Sequence, residues 1–233
     1  MIDEILPPEV RAVEAFGDVP DSPLFAAEEA MIAGAVDKRR AEFTTVRACA
    51  RRALGELGMP PVPIVRAGGG APQWPAGVVG SMTHCDGYRA AAVAWAEDIT
   101  TIGIDAEPHA RLPDGVLEVA GTAAERARLP ELADRWPAVH WDRLLFCAKE
   151  AVYKAWFPLT GRWLGFEDAR IHFDLDGVGA FTAELLVPGP VVEGRALAGF
   201  TGRWLARGDV LVAVTVLRRP GREAGLTPGT PRR

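Results

Sequence analysis

The chain has 233 residues, 48% hydrophobic and 24% charged, with a formal net charge of −5; this excludes a disordered chain and a general nucleic-acid binder and fits one large or two small folded units. The longest apolar run, residues 90–96, is far shorter than the roughly 20 residues of a membrane-spanning helix, and the first ten residues lack the basic region and apolar core of a secretion signal. A cytoplasmic protein is expected, with Cys49, Cys85 and Cys147 as free thiols, since they are odd in number and lack metal-ligand spacing.

Residues 1–22 read as loop, with prolines at 7, 8 and 20, and Ser22 is placed to cap a helix through LFAAEEAMIAGAV. Asp37 opens a second helix to about residue 57, ended by Gly58 and Pro60. Over 37–52 it carries Lys38, Arg39, Arg40, Arg47, Arg51 and Arg52 against Asp37 and Glu42, a local patch suited to a polyanionic ligand or an acidic partner. The stretch AGGGAPQWPAG is a Gly/Pro loop without the Gly-Lys-Ser/Thr of a P-loop.

Strands are expected at 77–84, 88–96 and 100–106, the first two joined by a tight turn at Cys85-Asp86-Gly87. A broken helical connector follows over 108–140, then an amphipathic helix over 141–156. Strands in RWLGFEDARIHFDL, FTAELLV, LAGFTGRWLA and VLVAVTVL come next, with turns at Asp176-Gly177 and Gly208-Asp209. A long helix followed by an antiparallel meander thus occurs twice. The class is α+β, with two similar subdomains, 1–108 and 109–217, the second including the connector. Residues 218–233 lack apolar periodicity and read as a disordered tail.

The chemistry concentrates in two stretches. On the helix WDRLLFCAKEAVYKAW, Trp141, Leu144, Leu145, Ala148, Ala151, Val152 and Ala155 gather on one side, and Asp142, Lys149, Glu150, Tyr153 and Lys154 on the other. Taken alone, Glu150 and Lys154 are an ordinary i,i+4 surface pair. Upstream, TTIGIDAEP reads as a buried strand whose end carries Asp105 and Glu107 on one face. Two adjacent anions need a cation between them. With Glu150 as a third oxygen donor, and no His or Cys in the pattern, the reading is a Mg²⁺ or Mn²⁺ site facing phosphate oxygens.

GIDAEP followed by FCAKEAVYKAW resembles the signature of the 4′-phosphopantetheinyl transferases. SMTHCDGYRAAAV and KAWFPLTGRWLGFEDA bring the chain closest to the actinobacterial type II enzymes. Its length and repeated layout resemble the larger surfactin-synthetase-activating type, implying a pseudo-dimeric monomer. The resemblance covers about 37–217. It implies Mg²⁺-dependent transfer of 4′-phosphopantetheine from coenzyme A to a serine of an apo acyl or peptidyl carrier domain, releasing adenosine 3′,5′-bisphosphate. It makes no membrane partner necessary.

By the same resemblance, Asp105, Glu107 and Glu150 hold the metal, while Lys149 and Lys154 contact coenzyme A. Lys154 stabilises developing charge, and Glu150, Glu125 or a water takes the serine proton. Thr83 and His84 approach the 3′-phosphate. Arg47, Arg66 and either Arg39 or Arg40 supply further phosphate contacts, Arg40 lying nearly in line with Arg47 on a helical wheel. Gly70 and Pro72 fall in the adenine-contacting loop. Trp163, Leu164 and Phe166 offer a wall for the pantetheine arm, and Trp74, Trp95 and Trp204 are assigned to packing. Two other classes share these residues: a Mg²⁺-dependent phosphohydrolase that activates water, and a non-catalytic module that binds coenzyme A or carriers.

Overall fold

Two twenty-residue helices each cover one face of an antiparallel sheet. The structure, a computed structural model, describes residues 1–19, 22–67, 70–174 and 179–219. After a 3₁₀ turn at Ile2–Ile5 come β1 (Arg11–Ala15), α1 (Ala26–Met31), α2 (Asp37–Glu56), β2 (Val78–Cys85), β3 (Tyr88–Trp95) and β4 (Ile99–Pro108). Then follow α3 (Val116–Ala120), α4 (Ala123–Arg135), α5 (Trp141–Thr160), β5 (Ala169–Phe173), β6 (Ala180–Leu185), β7 (Val191–Val192), β8 (Arg195–Ala196), β9 (Gly199–Arg207) and β10 (Val210–Arg218). The expected Asp176-Gly177 turn, and the expected tail from residue 220 onward, lie outside the described residues. Helices segregated from antiparallel strands make the class α+β.

One sheet has the order β1-β3-β2 and the other β4-β10-β9-β6-β5. α2 covers the first sheet through Cys49, Ala50, Ala53 and Leu54 on Ala91 and Val93. α5 covers the second through Ala148, Ala151, Val152 and Ala155, with Ala213, Phe181 and Phe200. The opposite faces share a third core in which Ala90, Ala92 and Ala94 meet Ile102, Ile104, Val212 and Val214. Strands buried on both faces need apolar residues at every position. That is why β3 and β10 read as continuous apolar runs.

Three expectations change. Residues 1–22 are not all loop: β1 pairs with β3 from Arg11↔Val93 to Ala15↔Arg89, and buries Val13. The helix expected after Ser22 is only the six residues of α1, where Glu28, not Ser22, closes the first turn by accepting from Phe25 N at 3.0 Å. Arg218, expected to open the tail, instead ends β10, and its guanidinium holds Glu9 at 3.1 Å.

The strand carrying the acidic pair leaves the first meander and joins the second sheet. β4 pairs with β10 from Val210↔Pro108 to Arg218↔Ile99. On its other side, Ile104 N donates to Ser81 Oγ at 3.1 Å and Ala106 N to Thr83 Oγ1 at 2.9 Å. The partners advance together along both chains, so β2 and β4 run parallel, joined by side-chain hydroxyls in place of a backbone ladder.

α5 meets β4 at its closest at Gly103. A Cβ there would stand 1.8 Å from Ala151 O and 2.7 Å from Ala155 N. Thr101 Oγ1 anchors the same face by donating to Ala155 O at 2.8 Å. Because the obstacle is backbone, Gly103→Ala should destabilise by about 3 kcal/mol, the upper end for overpacking. Gly55→Ala, in the α2 helix with nothing within 4 Å, should stabilise by about 0.5–1 kcal/mol. Urea unfolding of the two variants checks both signs; a Gly103→Ala protein as stable as the parent would contradict this packing.

Candidate active site

Alternation on β4 turns Thr101, Gly103, Asp105 and Glu107 toward α5, and Ile102, Ile104 and Ala106 into the shared core. Asp105 is 5% exposed. Its Oδ1 accepts from Lys154 Nζ at 2.6 Å and from Thr83 Oγ1 at 3.2 Å, whereas Oδ2 is buried without a hydrogen bond among the described residues. Glu107 Oε2 accepts from Arg143 Nη1 at 2.9 Å. Lys154 and Arg143 sit far apart on α5, roughly 16 Å in helix rise, yet reach carboxylates two residues apart on β4.

Glu150 lies between those two cations in sequence and makes no hydrogen bond or ion pair among the described residues. Burial first, then the charges of Asp105 and Glu107, push its pKa above the ordinary carboxylate value. Glu107 is raised in the same way, by burial and then Asp105, against the pull of Arg143. The three acids therefore feel one another in a partly desolvated space. Among the described residues, no three His, Cys, Asp or Glu side chains close on a common point as they stand. Even so, the donor set fits a hard divalent cation: all oxygen, crowded anions, and one buried carboxylate oxygen without a partner.

Lys154 also forms part of the wall of a cleft of about 640 Å³. Arg39, Phe43, Val46 and Arg47 line it from α2, Arg66, Gly70, Pro72 and Trp74 from the loop beyond, and Ser81, Met82 and His84 from β2. Tyr153 and Phe157 close it from α5. The i, i+4, i+7, i+8 spacing of the α2 residues selects Arg39 over Arg40. Arg40 turns away to Glu29 (2.7 Å) and Ile32 O (3.1 Å).

Arg47 is 4% exposed, lies over the Phe43 ring at 3.2 Å, and donates from Nε to Ile64 O at 3.1 Å. Burial, followed by the repulsion of Arg66, Arg51 and Arg39, lowers its pKa to about 10, with Glu28 opposing. Glu28, fully buried, was not singled out from the sequence. It accepts from Arg51 Nη1 at 2.9 Å and Ile64 N at 2.9 Å, and lies 3.7 Å from Arg47. Two acids, Glu28 and, 3.7 Å from Arg39, Glu42, thus face the four guanidiniums of Arg39, Arg47, Arg51 and Arg66. The imbalance suits an anion in the cleft.

At the far end of β2, Arg39 Nη1 donates to His84 Nε2 at 2.5 Å, which leaves the ring proton on Nδ1, 3.5 Å from Glu42 Oε2. Burial and then Arg39 lower the His84 pKa, so the ring is neutral near pH 7. Gly70 takes φ +87°, which glycine adopts without strain, and Arg66 bridges to Pro72 across this loop. Trp74, expected only to pack, reaches the cleft while donating to Gly80 O at 2.9 Å.

Other expected site residues lie apart from the cleft wall. Thr83 is buried on Asp105. Leu164, 6% exposed, floors a small recess with Glu150, Tyr153, Trp163 and Phe166; Tyr153 borders both spaces. Lys149, expected on the polar side of α5, is only 4% exposed and borders this recess, not the cleft. Its ammonium meets Glu125 at 2.8 Å, Phe166 O at 2.5 Å and Ala169 O at 3.0 Å. Glu125 in turn accepts from Thr122 N at 2.7 Å and Ile171 N at 2.6 Å. This closed pair ties α4 and β5 to the helix that carries Glu150.

Comparison with known proteins gives two adjoining matches. The 4′-phosphopantetheinyl transferase N-terminal domain matches residues 27–94, and the 4′-phosphopantetheinyl transferase superfamily matches 101–204. The chain is 56% identical to 4′-phosphopantetheinyl transferase Svp of Streptomyces mobaraensis, over 95% of this chain and 91% of that one. It is 53% identical to Npt of Nocardia iowensis, covering 92% and 99%, and 49% identical to PptT of Mycobacterium tuberculosis (strain ATCC 25618 / H37Rv), covering 89% and 92%.

The buried pair generates a clear test. Removing one partner strands a buried charge, so Glu125→Gln and Lys149→Met should each destabilise by about 3–5 kcal/mol, and the double variant by much less than their sum. Chemical denaturation of the three variants reads this directly. Full additivity would show that the two charges do not depend on each other.

Proposed function

The chain belongs to the 4′-phosphopantetheinyl transferase superfamily, and on that premise we propose how its residues perform the transfer. The enzyme moves 4′-phosphopantetheine from coenzyme A to a carrier protein. The observation that carries the residue assignment is Asp105: a buried carboxylate with one oxygen on Lys154 and the other without a partner, beside a cleft lined by arginines.

In this reading the cleft receives coenzyme A. Its phosphates face Arg39, Arg47, Arg66 and His84, its adenine lies against the loop of Gly70 and Pro72, and its pantetheine arm runs past Tyr153 toward Trp163, Leu164 and Phe166. Asp105, Glu107 and Glu150 hold Mg²⁺, or Mn²⁺ in its place. When bound, the ion neutralises charge on the pyrophosphate oxygens. Thr83 fixes the Asp105 carboxylate. Lys149 and Glu125 act by positioning Glu150, because both are already saturated by each other and by backbone groups.

The carrier serine oxygen attacks the phosphorus that bears pantetheine. The P–O bond to adenosine 3′,5′-bisphosphate breaks, and Lys154 stabilises the charge gathering on the oxygens. Glu150, its pKa raised by burial, accepts the serine proton directly or through a water. The two family matches meet between residues 94 and 101, which supports a pseudo-dimeric monomer divided near β4. The net charge and the short apolar segments support a cytoplasmic enzyme. The carrier, acidic around its serine, docks along 109–128, where Arg111 and Val119 are exposed, and beside Phe157.

Incubation with coenzyme A, Mg²⁺ and an apo carrier domain should add one phosphopantetheine mass to the carrier, and Glu150→Gln should abolish this while leaving the fold intact. Release of free phosphopantetheine without a carrier would identify a phosphohydrolase, and binding without turnover a non-catalytic module. His84→Ala should weaken coenzyme A about ten- to a hundredfold, and 3′-dephospho-coenzyme A hardly at all. His84 starts neutral and a bound phosphate favours its protonated form. Coenzyme A affinity should therefore rise as pH falls from neutral toward the lowered pKa of His84 in the free protein, and the variant should flatten that slope. Equal losses for both ligands would assign His84 a structural part only.

A further inference from the structure

Arg143 was singled out by no motif, yet it holds two backbone carbonyls of the connector together with an acid of the site. Its side chain is 15% exposed. Nη1 donates to Glu107 Oε2 at 2.9 Å, Nη2 to Arg111 O at 2.7 Å and Nε to Ala110 O at 3.2 Å. Next to it, Asp142 Oδ2 accepts from Leu112 N at 2.9 Å, while His109 N donates to Asp209 O at 2.8 Å. The four residues 109–112 are thus pinned by the first turn of α5 and the β9-β10 turn. Of these contacts, Arg143 alone also touches an acid of the site.

We infer that Arg143 is a positioning residue that registers the start of the connector to Glu107, so that divalent-cation binding and carrier docking are coupled through it. The inference rests on the metal and docking roles proposed above. Glu107 gives only Oε2 to Arg143; its other oxygen makes no hydrogen bond among the described residues and is left for a cation. An ion that fixes Glu107 thereby fixes the guanidinium, and the guanidinium fixes the carbonyls of Ala110 and Arg111. The planar fork reaches these three acceptors from three separate nitrogens, a spread that the single nitrogen of a lysine does not reproduce. By thermodynamic reciprocity, whatever the cation does to carrier affinity, the carrier does to cation affinity.

The test uses the full chain, Mn²⁺ as the ion, and an apo carrier domain whose acceptor serine is replaced by alanine, so that binding is read without turnover. In the parent protein, saturating Mn²⁺ should tighten carrier binding about five- to tenfold and slow amide exchange at 110–112. In Arg143→Lys and Arg143→Gln, the Mn²⁺ effect on carrier affinity should fall to about onefold, and exchange at 110–112 should become faster and insensitive to Mn²⁺. Asp142→Asn, which frees Leu112 N without touching Glu107, should weaken the carrier yet keep the Mn²⁺ effect. The inference is overturned if the Arg143 variants weaken the carrier and retain the Mn²⁺ effect, or if Mn²⁺ leaves exchange at 110–112 unchanged in the parent. A parent that binds Mn²⁺ and slows exchange but neither binds nor modifies any carrier would instead refute the docking role.

Discussion

The approach of α5 to β4 at Gly103 is the constraint on which the site depends. With no side chain at 103 and alanines at 148, 151 and 155, the helix backbone rests directly on the strand. Lys154 then reaches Asp105, and Arg143 reaches Glu107. A helix held one methyl further out would leave these carboxylates without their cations. Ion pairs that desolvated lose most of their value when geometry slips. The hydroxyls of Ser81 and Thr83 act on the other edge of the strand: they satisfy its N–H groups, and Thr83 also orients Asp105.

Charge is distributed to match. Guanidiniums from α2 and the loop after it crowd one end of the cleft, where burial, reinforced by their repulsion, lowers the Arg47 pKa even with Glu28 beside it. Carboxylates crowd the other side of Lys154, where burial, reinforced by their mutual repulsion, raises Glu107 and Glu150. Each cluster is only partly compensated: Glu28 and Glu42 face the guanidiniums, and Lys154 and Arg143 hold Asp105 and Glu107 but leave Glu150 without an ion pair among the described residues, whereas Lys149 and Glu125 compensate each other fully. That contrast separates groups waiting for a ligand from groups that hold the scaffold together. In the proposed reading, a polyphosphate and a divalent cation complete both clusters at once.

Much of this could be read from the sequence. The helices carrying the arginines and Glu150 are long and periodic, and Asp105 and Glu107 share a face because strand alternation leaves no other choice. What could not be read depends on contacts between distant segments. β4 changes sheets because hydroxyls, which carry no periodic signal, replace one of its ladders. Lys149 sits on the polar side of an idealised wheel, but its long apolar stem lets it bury where three oxygen acceptors converge. Glu28 stood in its helical stretch without any signal of its own. The signal that could have exposed it is the i,i+4 pair Arg47 and Arg51, two cations with no acid of their own helix nearby, which called for a carboxylate from elsewhere. Arg39 was separated from Arg40 only once the packing of α2 fixed which face met the cleft.

The central claim is that Asp105, Glu107 and Glu150, brought together by the Gly103 contact, are one cation site. A crystal of the protein soaked with coenzyme A and Mn²⁺, measured at the manganese absorption edge, locates the ion directly. The account predicts a single anomalous peak within about 2.5 Å of Asp105 Oδ2, close to ordinary metal–oxygen distances, with Glu107 and Glu150 bound to it directly or through one water. A peak held by other residues, or one from which Glu150 is too distant to bridge, would contradict it.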